Sequence, residues 1–221
     1  MSKINSDQFI DTFSPLVSNN DASFNDFLRI YKESMPAREQ KSAAQISAML
    51  TRDDYQILLL KRNDLAVGFS IVFAPPKESF CLLEYFAVDA AYRNSGLGRQ
   101  LFLRSADYTF SKAGSVPLLL EVDSDREPSA DRLIRRRRQQ FYRRLNCLRI
   151  DKLPYFLPLP GKGPPPQIDL MVYFLGSVQV IGKAQLQHWL KRIYHDVYDC
   201  SEDDPRIMTM LESVTDPVEI V

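Results

Sequence analysis

The sequence predicts a mixed α/β (α+β) fold, with a mostly antiparallel central sheet flanked by helices and an extra helix at the C-terminal end. Two observations predict it. Apolar residues recur at helical spacing near 24–35, 97–113 and 186–197. Runs rich in β-branched, aromatic and leucine residues, bounded by turn formers, mark strands at 55–61, 65–74, 80–88, 118–122 and 168–175. The first strands follow each other directly, as hairpins do. The later ones alternate with helices, and that combination gives a mixed sheet.

Taken in order, a weak strand is expected near 9–17. Phe24, Phe27, Leu28, Tyr31 and Met35 then share one helical face. Ser23-x-x-Asp26 has the pattern of a capping box at its start, and Pro36 follows its end. A shorter helix fits 41–50. The strands 55–61 and 65–74 are joined by Arg62-Asn63-Asp64, which reads as a hairpin. After Pro75-Pro76 comes the strand 80–88, then a glycine-containing loop and a helix carrying Leu97, Leu101, Phe102, Ala106 and Phe110. Leu118–Val122 is a short buried strand, and 129–145 reads as a helix. Leu153–Gln167 holds six prolines and two glycines and is expected to be a loop. A strand at 168–175 follows. Leu186, Trp189, Leu190, Ile193 and Val197 mark the final helix, after Gly182.

Composition narrows the function classes. Of 221 residues, 45% are hydrophobic and 25% charged, with 28 basic against 28 acidic side chains. That is ordinary globular usage, and the zero net charge disfavours a nucleic-acid binder. The longest apolar runs fall far short of the ~18 residues of a bilayer span. No apolar leader region is seen near the first residues. Three widely spaced cysteines make neither a disulfide framework nor a four-ligand zinc site, and they fit a reducing cytoplasmic compartment. Charge is nonetheless uneven. Eight arginines lie between Arg132 and Arg149 without an acid, four of them consecutive at Arg135–Arg138. Eight acids lie beyond His195 against the single Arg206.

The segment with chemical content is Phe80–Arg104, where a strand runs into Arg93-Asn94-Ser95-Gly96-Leu97-Gly98 and opens a helix. The first amides of a helix lack internal partners and carry the positive end of its dipole. Glycines without Cβ let a phosphate come close to such amides. On spacing alone, a plain strand-to-helix turn and an anion site both stay open.

Arg93-x-x-Gly96-x-Gly98, placed after the strand Leu83-Glu84-Tyr85-Phe86-Ala87-Val88, resembles the acetyl-CoA signature of the GNAT N-acetyltransferase superfamily. The element order, the strand Leu118–Val122 and the run Phe141-Tyr142-Arg143-Arg144-Leu145-Asn146-Cys147 resemble that family too. The resemblance spans about residues 9–175. It implies a GNAT acyltransferase domain over 1–175. The residues 176–221 are expected to form a helix and acidic tail, packed on the same domain or on another subunit. It implies acetyl-CoA as cosubstrate, no metal, and direct attack of an acceptor amine in a ternary complex. The backbone of Phe86, Ala87 and Val88 would pair with the pantetheine arm. The amides of Arg93, Asn94, Ser95, Gly96, Leu97 and Gly98, with Arg99 nearby, would hold the pyrophosphate. Tyr142 matches the family's usual general acid. Glu84 and Glu121, carboxylates in otherwise apolar strands, are alternative bases, and a water chain is a third. Asn146 and Cys147 depart from the family's usual glycine and aromatic residue.

The expected acceptor is a small-molecule or peptide amine, with no membrane partner; self-association as a homodimer stays open. A catalytically silent coenzyme A-binding module with the same fold is the alternative from another class. The arginine run is expected to be a solvated face that meets surface carboxylates or the acidic tail. His188 and His195, seven residues apart, are expected to be packing or surface residues, and Trp189 a core residue. Tyr155 is a candidate for lining an acceptor pocket.

Overall fold

Asn63 and Asp64 both adopt positive φ, 48° and 66°. Two successive residues in that region make the tight turn whose twist suits a hairpin. They join β2 (Tyr55–Arg62) to β3 (Leu65–Phe73). The computed structural model describes residues 10–126, 128–158 and 167–221. Within it, the weak strand expected near residue 9 is β1 (Asp11–Pro15), antiparallel to β2 with Phe13 opposite Leu60.

The described chain falls into two compact units. One runs through Val72 and resumes at Tyr85–Tyr108; the other comprises Phe73–Glu84 and Thr109–Val221. The first unit carries α1 (Phe24–Ser34), α2 (Ala43–Met49) and the strand order β1-β2-β3-β4, where β4 is Cys81–Val88 and contributes Tyr85–Val88 to this unit and Cys81–Glu84 to the other. The apolar face of α1 is buried, and Phe27 meets the ring of Phe69 on β3 edge-on at 5.0 Å. Its start differs from expectation. Ser23 sits in a helical conformation and its side chain caps nothing, whereas an N-cap needs extended backbone to aim its oxygen inward. The capping box is on α2 instead. There Ser42 accepts from the Gln45 amide and the Gln45 side chain accepts from the Ser42 amide.

The second unit has the order β4-β5-β8, where β5 is Leu118–Asp123 and β8 is Gln167–Tyr173. Two short strands, β6 (Leu148–Arg149) and β7 (Tyr155–Phe156), also pair with β8. Thus part of the proline-rich segment expected to be a loop is strand. Pro154 and Pro158 flank Tyr155 and Phe156 without removing their amides, so that pair can still join the sheet. The remainder of that segment, 159–166, lies outside the described residues. Pairing of β4 with β5 is parallel, from Cys81↔Leu118 to Leu83↔Leu120. It ends there although β4 continues to Val88 and β5 to Asp123.

Between the strands run α3 (Leu97–Ala113) and α4 (Arg132–Arg143), and after them α5 (Lys183–Asp196). Leu186, Trp189, Leu190 and Ile193 of α5 are fully buried. Trp189 donates its indole N–H to Ser79 at 2.9 Å and lies 5.9 Å from the ring of Phe80. The acidic tail contains a further helix, α6 (Pro205–Leu211). It is capped by Asp204, begun by Pro205, and buries Ile207, Met210 and Leu211. Val221 exchanges both backbone hydrogen bonds with Arg149. The tail's acids pair with Lys152, Lys191, Arg192 and Arg206, while Arg135 and Arg138 of the arginine run pair with Asp131 and Asp123. No helix among the described residues is long and apolar enough to cross a membrane.

Candidate active site

In the first unit, β4 delivers the chain into the glycine loop. Val88, Leu97 and Leu101 pack with Leu60 and Val67, so the strand end and the start of α3 share one apolar anchor. Four polar contacts shape the loop between them. The buried Asp89 carboxylate accepts from the Ala91 amide at 2.9 Å and from Arg29 at 2.6 Å. Burial works against its charge, but the Ala91 amide and Arg29 outweigh it and hold the carboxyl below its ordinary value. Arg93 turns its guanidinium back to the Val88 carbonyl at 2.9 Å, and Ser95 donates to the Tyr92 carbonyl at 2.5 Å. Asn94 and Gly96 take positive φ, 63° and 83°. The first intrahelical bond of α3 runs from the Gln100 amide to the Gly96 carbonyl. The amides of Leu97, Gly98 and Arg99 therefore have no acceptor inside the helix. A Cβ on Gly96 would meet nothing within 4 Å, so the loop is open at that position. Gly68 on β3 shows the opposite situation. A Cβ there would come within 3.1 Å of the Ala87 carbonyl oxygen, so β3 and the end of β4 are in close approach.

In the second unit, Glu121 is half-buried on β5, opposite Leu170 of β8. Both its oxygens accept from phenols: Tyr155 of β7 donates to one, and Tyr198, just past α5, donates to the other at 2.5 Å. Burial first, and the Glu121 charge second, push both phenols well above their ordinary value, so they stay protonated donors at neutral pH. The charge of Glu84, half-buried on β4, acts on Tyr198 in the same direction.

Tyr142 is buried near the end of α4, with Phe141 edge-on at 5.1 Å. Burial pushes its phenol up, against the opposing pull of Arg138. The turn after it is closed by the Leu145 and Cys147 amides, both on the Tyr142 carbonyl, with Asn146 at φ 64°. Asn146 thus takes the left-handed conformation that glycine would supply. Burial raises the thiols of Cys81 and Cys147 to about 12, so neither is a thiolate nucleophile at neutral pH. No group of three or more metal-ligating side chains occurs among the described residues.

The loop residues expected to hold pyrophosphate therefore lie together in one unit. Glu84, Glu121, Tyr142 and Tyr155 all belong to the other. Tyr198 was not anticipated. It lies 77 positions from Glu121, beyond the helix stripe that drew attention to α5, and no local pattern links the two.

The family model for the acetyltransferase (GNAT) family matches residues 24–145, more than half of the chain. The chain belongs to the GNAT acetyltransferase family. Solved structures agree on the fold. The protein named putative acetyltransferase from GNAT family, from Bacteroides thetaiotaomicron, has 22% identity and a TM-score of 0.64, covering 85% of this chain and 98% of that one. The ribosomal-protein-S18-alanine N-acetyltransferase of Escherichia coli gives 18% identity, a TM-score of 0.53, and coverage of 77% and 97%. An aminoglycoside 6′-N-acetyltransferase complexed with coenzyme A gives 16%, 0.59, and coverage of 76% and 99%. No curated protein matches the chain. The GNAT match takes in β4, the glycine loop, β5 and Tyr142, but ends before Tyr155 and Tyr198.

Proposed function

We infer that this GNAT protein transfers the acetyl group of acetyl-CoA to a primary amine by direct attack within a ternary complex. The observation that carries the reading is the start of α3, where three amides have no intrahelical acceptor and the position a Gly96 Cβ would take is open. A pyrophosphate fits such amides, since they supply donors and the helix dipole supplies positive potential. Backbone groups of Phe86, Ala87 and Val88 would take the pantetheine arm as an added strand. The contact of Arg93 with the Val88 carbonyl gives it a loop-shaping part besides its charge.

Two proton transfers are needed. The acceptor ammonium must lose a proton to become a nucleophile, and the departing thiolate must gain one. Tyr142 suits the second role, because a phenol raised by burial keeps its proton until a strongly basic group appears. Glu84 and Glu121 are the carboxylates available for the first. Holding amine and thioester in line supplies the remaining acceleration. The acceptor class is a small-molecule or peptide amine. Neighbours of this fold are named for an alanine of a ribosomal protein, for an aminoglycoside and for spermidine.

The test is thiol release from acetyl-CoA with spermidine, an aminoglycoside and a peptide bearing an N-terminal alanine, alongside calorimetry with acetyl-CoA. Thiol release that depends on one amine supports transfer. Tight coenzyme binding without release for any amine favours a silent coenzyme-binding module.

A further inference from the structure

We propose that Tyr198 and Tyr155 are positioning residues that hold Glu121 as an ionised carboxylate aimed at the acceptor, which makes Glu121 the base. The proposal rests on the acetyltransferase reading and adds to it that the segment after α5 completes the site.

The geometry is a clamp. Each phenol has one proton to give, and the two are given to different oxygens of one carboxylate. Hydrogen bonds to a carboxylate favour its charged form. The donors come from separate places. Tyr155 lies on β7, 2% exposed, and is fixed against β8 by the Tyr155↔Ile168 pairing. Tyr198 follows α5, whose apolar stripe is fully buried. Tyr194 of α5 also feels the Glu121 charge, and its own hydroxyl is committed to the Phe156 carbonyl. Glu84 on β4 is a second negative group facing Tyr198. Around these three phenols lie the carboxylates of Glu121, Glu84 and Asp204, the Cys200 thiol, and the Arg206 guanidinium, which sits over the Tyr194 ring and pairs with Asp204; the Glu121 and Glu84 carboxylates suit a cationic acceptor rather than an anionic one.

Tyr198→Phe removes one donor and keeps the ring. With the amine that supports turnover in the wild-type protein, the acid limb of kcat/KM should move to higher pH, because Glu121 then protonates more readily. The shift should be about one pH unit or more, the worth of a hydrogen bond to a charged group. Acetyl-CoA affinity should hold, and the unfolding temperature at neutral pH should fall by only the few degrees that the same hydrogen bond is worth. Tyr155→Phe combined with Tyr198→Phe should move the limb further. A merely structural tyrosine would leave the limb in place while changing stability, and an unmoved limb overturns the proposal. Carboxyl-carbon NMR of glutamate-labelled protein, assigned with Glu121→Gln, provides a readout without turnover. The Glu121 signal should titrate at higher pH in Tyr198→Phe than in wild type; equal titration overturns the clamp. If no amine supports turnover in the wild-type protein, the acetyltransferase reading and the role as base fall together. The carbon titration then decides the clamp alone.

Discussion

Arg29 of α1 donates to the carboxylate of Asp89 at 2.6 Å, tying the first helix to the residue that opens the glycine loop. Asp89 also caps the following turn through the Ala91 amide. Asp89→Asn keeps the cap, since asparagine accepts in the same way, and loses the charge. The folded carboxyl is held below its unfolded value of ~3.9, so its contribution is present above that value and is lost as pH falls below it. Asp89→Asn should therefore lower stability at neutral pH and flatten its pH dependence below about pH 4. With Arg29 half exposed and screened, the loss should be about 1 kcal/mol, or about 2–4 °C in Tm. Thermal unfolding from pH 2 to 7 checks it.

At Gly96 the cost of a side chain is conformational and electrostatic, not steric, since no atom would meet its Cβ. Asparagine and aspartate have nearly the same size, and both tolerate positive φ better than most residues. Their difference therefore isolates charge. Gly96→Asp should weaken acetyl-CoA binding at least tenfold more than Gly96→Asn, with both proteins folded, by calorimetry. Equal affinities would remove the anion site from the start of α3.

Gly68 makes the opposite prediction. A methyl group there would press on the Ala87 carbonyl at 3.1 Å and on Leu101 at 3.2 Å. Gly68→Ala should cost ~1–3 kcal/mol as an overpacked site. Because the displaced backbone is the stretch assigned to the pantetheine arm, the KM for acetyl-CoA should rise as well. Unfolding measured beside coenzyme titration separates the two effects.

Much of this architecture was legible in the sequence because it is local. The Asn63-Asp64 turn, the stripe of α1 and the strand-loop-helix run around Gly96 each sit within a few residues of one another. What escaped notice depends on distant partners or on weak local signals. The β7 pair lies among prolines and gains strand character only by meeting Ile168 and Gln167. The helix α6 had its signals, Asp204-Pro205 and the 207, 210, 211 spacing, but they were hidden among acids. Tyr198 could not be connected to Glu121 by any period, because their meeting depends on α5 being packed in place.

Trp189 is the anchor of that packing, wholly buried and bonded to Ser79. Trp189→Ala should cost ~3–5 kcal/mol, the usual price of truncating a buried aromatic residue. Since Tyr198 follows the same helix, turnover should fall more than coenzyme affinity. Denaturant unfolding, with kcat and acetyl-CoA affinity measured below the transition, tests both statements.

Tyr142 carries the sharpest expectation. Its ring is buried and its backbone carbonyl closes the turn at Asn146, so the fold uses the residue up to the hydroxyl. Tyr142→Phe keeps all of that. If the hydroxyl protonates the departing thiolate, it acts in the transition state and little in the ground state. Turnover should then drop by about 10²–10⁴-fold, in kcat and kcat/KM alike, with acetyl-CoA affinity and Tm nearly unchanged. The pH dependence gives an independent check. A general acid is lost as pH rises through its own titration, and burial moves that titration of Tyr142 upward from ~10. Between pH 6 and 9 the phenol stays protonated, so wild-type activity should show no basic limb from Tyr142. The mutant profile should lie lower by a constant factor with the same shape. A full kcat in Tyr142→Phe would leave the hydroxyl without a catalytic part. A drop confined to one side of the profile would assign the lost proton to another group.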